Sequence, residues 1–171
     1  MKLIEALKRL RIIEKRVKSQ NENITRYSSM ISTERPLFET EDRQKKEVKS
    51  LIQSNEDLIK EYLGLKRRID LTNLGTFRVM NSERYSIADL LNIQRKAYDM
   101  GKSTFKALSD HASQGRLVSM RHMSPEGKTP VVNRLYAEED RIKGLKYWQD
   151  LYDSIGAVLE IMNATVDLIE E

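Results

Sequence analysis

Few residues in this sequence combine the type and spacing that chemistry needs, and the first group is Gly101-Lys102-Ser103-Thr104. Glycine, lysine and a hydroxyl in that order close a phosphate loop, where backbone N–H groups cradle phosphate oxygens and the lysine reaches the terminal phosphate. Such a loop needs another glycine five residues earlier and a strand leading into it. The earlier position holds Lys96 and the surrounding pattern is helical, so the small residues read as a close-packing step, not a nucleotide site. His111 and His122 are the only histidines, and neither stands in the paired-histidine spacing of a zinc hydrolase. With no cysteine there is no thiol nucleophile, disulfide or zinc-thiolate site. No catalytic residue, metal or cofactor is expected, and the chain reads as a non-enzyme.

A second group is basic. Lys66, Arg67 and Arg68, together with Arg116 and Arg121, would form an anion patch if the end of one helix lay near the segment after residue 115. Solvated helix faces account for the same charges, and no aromatic side chains interleave them for base stacking. The net charge of +4 is the small excess of 30 basic over 26 acidic residues. Nucleic acid is therefore disfavoured as a partner.

The elements that must position these residues are long and helical. Charged residues make up 33% of the chain and hydrophobic ones 39%, with only 7 Gly and 3 Pro, a balance that suits amphipathic helices more than turn-rich sheets. At 171 residues, a single helical domain over 1–171 is expected. Leu3, Leu10, Val17, Ile24 and Ile31 keep heptad spacing and place a first helix at 1–32. Arg35-Pro36 breaks it, and Thr40 is a suitable N-cap for a second helix at 40–71. Its seam reads as Val48, Ile52, Asn55, Ile59, Tyr62 and Ile69, with Leu51, Leu58 and Leu65 as a second line on the adjacent flank.

Gly75 is placed to end that helix with a positive φ, and residues 76–85 show no clear period. Ser86 opens a third helix at 86–113. Residues 115–135 fit two short strands around a Pro/Gly turn, or an irregular loop. A last helix covers 137–171, where Leu145, Tyr152, Leu159 and Val166 alternate with Trp148, Ile155, Met162 and Ile169 along two heptad positions. The third helix is too short to cover so long a seam. It is therefore expected to dock the second flank of helix two, or another chain.

Several stretches together resemble a septicolysin-like family of small helical bacterial and phage-encoded proteins. They are Met1-Lys2-Leu3-Ile4-Glu5-Ala6-Leu7, Ile69-Asp70-Leu71-Thr72-Asn73, Ser86-Ile87-Ala88-Asp89-Leu90-Leu91, and Ile155 to Leu168. The resemblance implies a coiled-coil hairpin that associates with copies of itself; it carries over no catalytic motif. Ala164 follows Asn163 where the family has tryptophan, which puts its terminal interface in doubt here.

The expected fold is all-α: a long antiparallel coiled-coil hairpin plus two further helices in a bundle, with a short β-hairpin possible at 115–135. The expected role is structural, through self-association or docking on a larger partner such as a phage virion. A membrane-active, lysin-like role is the other alternative, disfavoured because the apolar stripes are narrow heptad seams. No apolar run approaches the roughly 20 residues of a membrane span, so the expected location is the cytoplasm, or the virion if phage-encoded.

Overall fold

The computed structural model describes residues 1–120 and 130–170. The chain is mostly helical, with one two-stranded antiparallel sheet among the described residues. Its contacts divide it into two compact units, one of Met1–Ala88 with Glu160–Glu171 and one of Asp89–Leu159.

The first unit is built on α1 (Leu3–Tyr27) and α2 (Glu41–Gly75). They run antiparallel: Arg9 meets Glu61, Gln20 meets Ser54, Asn21 meets Asn55, and Gln44 reaches back to Tyr27. α1 stops at Tyr27, short of residue 32, because the Asn and Ser residues around 21–29 favour local side-chain bonds over helix. Ile31, in heptad register but past the helix end, is exposed. The connection closes on Gln44, a buried polar side chain whose Oε1 accepts from Leu37 N at 2.9 Å and whose Nε2 donates to Tyr27 O at 2.8 Å. Tyr27 and Phe38 stack edge-on over it at 4.9 Å. Thr40 caps α2 as expected, accepting from Arg43 N at 3.3 Å.

α2 runs four residues beyond Leu71. Gly75 stays in the helix with no positive φ, and its bare Cα faces Ile169, whose Cδ1 would lie 3.5 Å from an added Cβ. The chain then forms β1 (Phe77–Met80) and β2 (Glu83–Ser86), paired Phe77 to Ser86 and Val79 to Arg84. Asn81 and Ser82 have φ of 50° and 67°, the geometry of a two-residue hairpin turn with both central residues left-handed. A β-hairpin thus lies at 77–86, where the sequence shows no clear period, in a chain that is otherwise mostly helical among the described residues.

Residues 160–171 complete this unit. The core joins Leu3, Ala6, Leu10 and Ile13 of α1 to Leu65, Ile69 and Thr72 of α2, with Ile87, Met162 and Leu168. The last residues leave the helix to pair with the first: Leu3 N donates to Val166 O at 2.9 Å and Leu168 N to Met1 O at 2.8 Å. Ile169 N donates to the Oγ1 of fully buried Thr72 at 3.0 Å. These bonds end the last helix at Thr165 and not at residue 171.

In the second unit a helical run follows β2 directly: α3 (Ile87–Asn92), a π-helical turn over Ile93–Ala97, and α4 (Tyr98–Ala107). It breaks at Leu108, whose ψ of 97° is extended. Ser109 and Asp110 then start α5 (His111–Met120), with Gln114 N donating to Asp110 O at 2.9 Å. The expected third helix at 86–113 is therefore interrupted, because an Asp before a helical stretch caps a new start. Leu117–Met120 is helix and Val131-Val132 lies outside any strand, so neither arm of a hairpin at 115–135 forms; its centre lies outside the described residues. The last helix, α6 (Glu138–Thr165), contributes Glu138–Leu159 to this unit.

α4 and α6 pack antiparallel through two reciprocal glycine contacts. A Cβ on Gly101 would sit 1.9 Å from Trp148 Cε2, and one on Gly144 would sit 2.2 Å from Phe105 Cε1. Each helix lays a ring on the other's glycine. Tyr98 and Tyr152 extend the contact with ring centroids 4.5 Å apart.

Candidate functional site

The side chains that resemble a phosphate loop are all engaged within the second unit. Lys102 Nζ donates to Tyr98 Oη and, at 3.2 Å, to Gln149 Oε1. Ser103 Oγ donates to Asp99 O at 2.6 Å and Thr104 Oγ1 to Met100 O at 3.0 Å. Gly101 is occupied by the Trp148 indole. The segment is a packing site, as its small residues suggest.

His111 begins α5 on the surface, and His122 lies outside the described residues. Among the described residues no three His, Cys, Asp or Glu side chains gather as a metal site. The shifted carboxyl groups belong to exposed ion pairs. The hydrogen bond from Arg9, at 2.7 Å, holds Glu61 below the usual carboxylate range. In the second unit, Arg134 does the same for Asp110, and Arg141 for Glu138. Together these tie the start of α5 to the start of α6. The arrangement is a clasp of paired charges.

The residues of the candidate anion patch come from both units. Lys66 pairs with Asp70, and Arg68 Nε donates to Ile169 O at 2.9 Å. Arg67 is exposed beside them in the first unit. Arg116 belongs to the second unit and donates to Ser113 Oγ at 3.0 Å; Arg121 lies outside the described residues.

Most of the seam residues expected on the last helix are buried or half-buried. Leu145, Trp148 and Tyr152 are half-buried, the last two against α4 as described. Ile155 and Leu159 are buried in the second unit and Met162 in the first. Val166 is half-buried in the terminal pairing, and Ile169 lies against Gly75. Of these eight residues Ile169 alone is exposed, at 42%. Gly101 on α4 and Gly144 on α6 each take a ring of the facing helix in direct contact.

Of the seam expected on α2, Asn55 and Ile69 are buried and Val48 and Tyr62 half-buried, while Ile52 and Ile59 are exposed. Ser54, Asn55 and Glu61 bond α1, and on a helix of 3.6 residues per turn they bracket Leu51, Leu58 and Leu65. The line expected on an outward flank therefore faces α1, with Leu65 buried and Leu51 and Leu58 half-buried. Ile52 and Ile59 point outward at 45% and 47% exposure, and Leu63 on the same side at 61%. The inner seam is polar along part of its length: Gln20 Nε2 donates to Ser54 Oγ at 3.1 Å and Asn55 Nδ2 to Asn21 Oδ1 at 2.9 Å. Beside the outer stripe, Ile13, Val17, Ile59 and Tyr62 line a shallow groove of about 350 Å³ between the helices.

Two features escaped the sequence reading. One is the outward stripe itself; its signal was the opposite-charge pair Arg9 and Glu61 and the amides Gln20 and Asn55, which mark the inward side. The other is the Tyr98, Lys102 and Gln149 cluster, in which Tyr98 Oη donates to Gln149 Oε1 at 2.8 Å. Tyrosine and lysine four residues apart on a helix were its signal.

Among the described residues, no helix is long and apolar enough to cross a membrane. No protein-family profile and no curated protein matches the chain. Among solved structures, it is similar to a functionally unknown conserved protein from Corynebacterium diphtheriae, at 18% identity and a TM-score of 0.61 over 99% of each chain. That likeness shows a shared fold over the full length.

Proposed function

We propose that this chain is a non-enzymatic structural or assembly protein that associates with copies of itself, and that it belongs with the septicolysin-like proteins its sequence resembles. The observation that carries the assembly role is the outward stripe of α2, where large apolar side chains stay exposed at heptad spacing although the helix has already filled its seam with α1. Burying one such side chain contributes roughly 1.5 to 3 kcal/mol, so leaving several in water on a rigid helix favours association. The reading is supported by the antiparallel pairing of α1 and α2, in which Gln20 bonds Ser54 and Asn55 bonds Asn21. Light scattering across a concentration series tests the role directly. A native mass at a multiple of the 20.0 kDa chain is expected, and a monomer throughout removes the reading.

A further inference from the structure

We infer that the partner is a second copy of this chain, docked antiparallel along the outer stripe of α2 about a two-fold axis level with residue 61. The inference rests on the self-association just proposed and specifies its seam.

Ile52, Glu56, Ile59, Leu63, Lys66 and Asp70 all lie on the outward side of α2, spaced alternately four and three residues apart, and all are exposed. That spacing is the a/d stripe of a coiled coil, and in an antiparallel pair each a position meets a d position of the other helix. With the axis between Ile59 and Leu63, Ile59 of each copy meets Leu63 of the other. One step outward, Glu56 meets Lys66, and by symmetry Lys66 meets Glu56. Charges of opposite sign thus fall opposite each other on both sides of an apolar centre. Lys66 also pairs with Asp70 of its own helix, and in the same register Ile52 of each copy meets Asp70 of the other. The groove floored by Ile13, Val17 and Tyr62 shares Ile59 with the stripe, so docking there also closes the groove and widens the contact.

The same charges argue against other occupants. A lipid surface would leave Glu56 among acyl chains with no partner, and an apolar partner helix would strand Glu56 likewise. A second copy sets Lys66 opposite it.

Carbodiimide cross-linking tests this, because it joins a lysine to a carboxylate only in direct contact. Glu56 and Lys66 are ten residues apart on one straight helix, about 15 Å, so a bond between them cannot form within a chain. An equal mixture of unlabelled and ¹⁵N-labelled protein should give Glu56–Lys66 peptides carrying one light and one heavy half. Leu63→Lys, at an exposed position, should keep the helical circular dichroism of the parent while its native mass falls to that of one chain. A dimer that survives Leu63→Lys, or whose cross-links join other residues, overturns this seam and leaves self-association standing. A parent protein that is monomeric at every concentration overturns both.

Discussion

Replacing Gly101 with alanine should destabilise the second unit, although alanine is normally the better helix residue. Gly-to-Ala in a helix interior gains roughly 0.5 to 1 kcal/mol. At Gly101 the new methyl would lie 1.9 Å from Trp148 Cε2, and ordinary carbon contact is about 3.5 Å, so the indole must retreat by roughly 1.6 Å. Overpacking of a well-filled contact costs about 1 to 3 kcal/mol, and the indole is a rigid ring held between two helices. A net loss of about 1 to 2 kcal/mol is expected once the helix gain is subtracted. Gly144→Ala, against Phe105, should behave alike. Gly64 and Gly115 are internal controls, with nothing within 4 Å of an added Cβ; alanine there should raise stability. Trp148 is the sole tryptophan, so its emission during urea unfolding reports on this contact without labelling. Gly101→Ala that unfolds at the urea concentration of the Gly64→Ala control, with unshifted emission, would refute the reciprocal ring-on-glycine packing.

Other expectations concern the hairpin tip, the chain ends and α6. Gln44→Leu strands Tyr27 O and Leu37 N and should cost about 1 to 3 kcal/mol, seen as faster amide exchange over residues 28–44 with the rest unchanged. Asn55→Leu removes a buried side-chain acceptor that lacks a bond, as does Gln20 Oε1 beside it, so a higher melting temperature with looser pairing register is expected. Leu159, 5% exposed, is a core residue; Leu159→Asp should unfold the protein in circular dichroism, and a folded monomer would contradict its placement. The Lys2 ammonium, 2.8 Å from Asp167, holds that carboxyl below its ordinary value of about 3.9. A depressed acid adds stability above its unfolded value and loses it as pH falls through its folded one. Exchange protection of the Leu3 and Leu168 amides should therefore fall only below about pH 4, and Asp167→Asn should flatten that fall.

The long helices were legible because heptad spacing over many turns has few other readings: α1, α2 and α6 all form near their expected places. The choice between two adjacent stripes was not. Leu51, Leu58 and Leu65 are spaced as regularly as Ile52 and Ile59, and only the partners across α1 decide that Ile52 and Ile59 turn outward while Asn55 and Ile69 of the same line stay buried. The cover of α6 was illegible for a similar reason. Gly101 and Gly144 bring rings onto a neighbouring helix, and residues 166–169 leave the helix to bind Met1, Leu3 and Thr72, contacts between positions far apart in sequence. The β-hairpin at 77–86 carries its signal in Asn81-Ser82, but strands of four residues with Phe77 and Val79 on the outside show no buried face to detect.

The measurement that tests the proposed assembly most directly is the native mass by sedimentation equilibrium, with Leu63→Lys run beside the parent. Twice the 20.0 kDa chain for the parent and one chain for Leu63→Lys is the expected result. A parent that remains a single chain at the highest attainable concentration would contradict it.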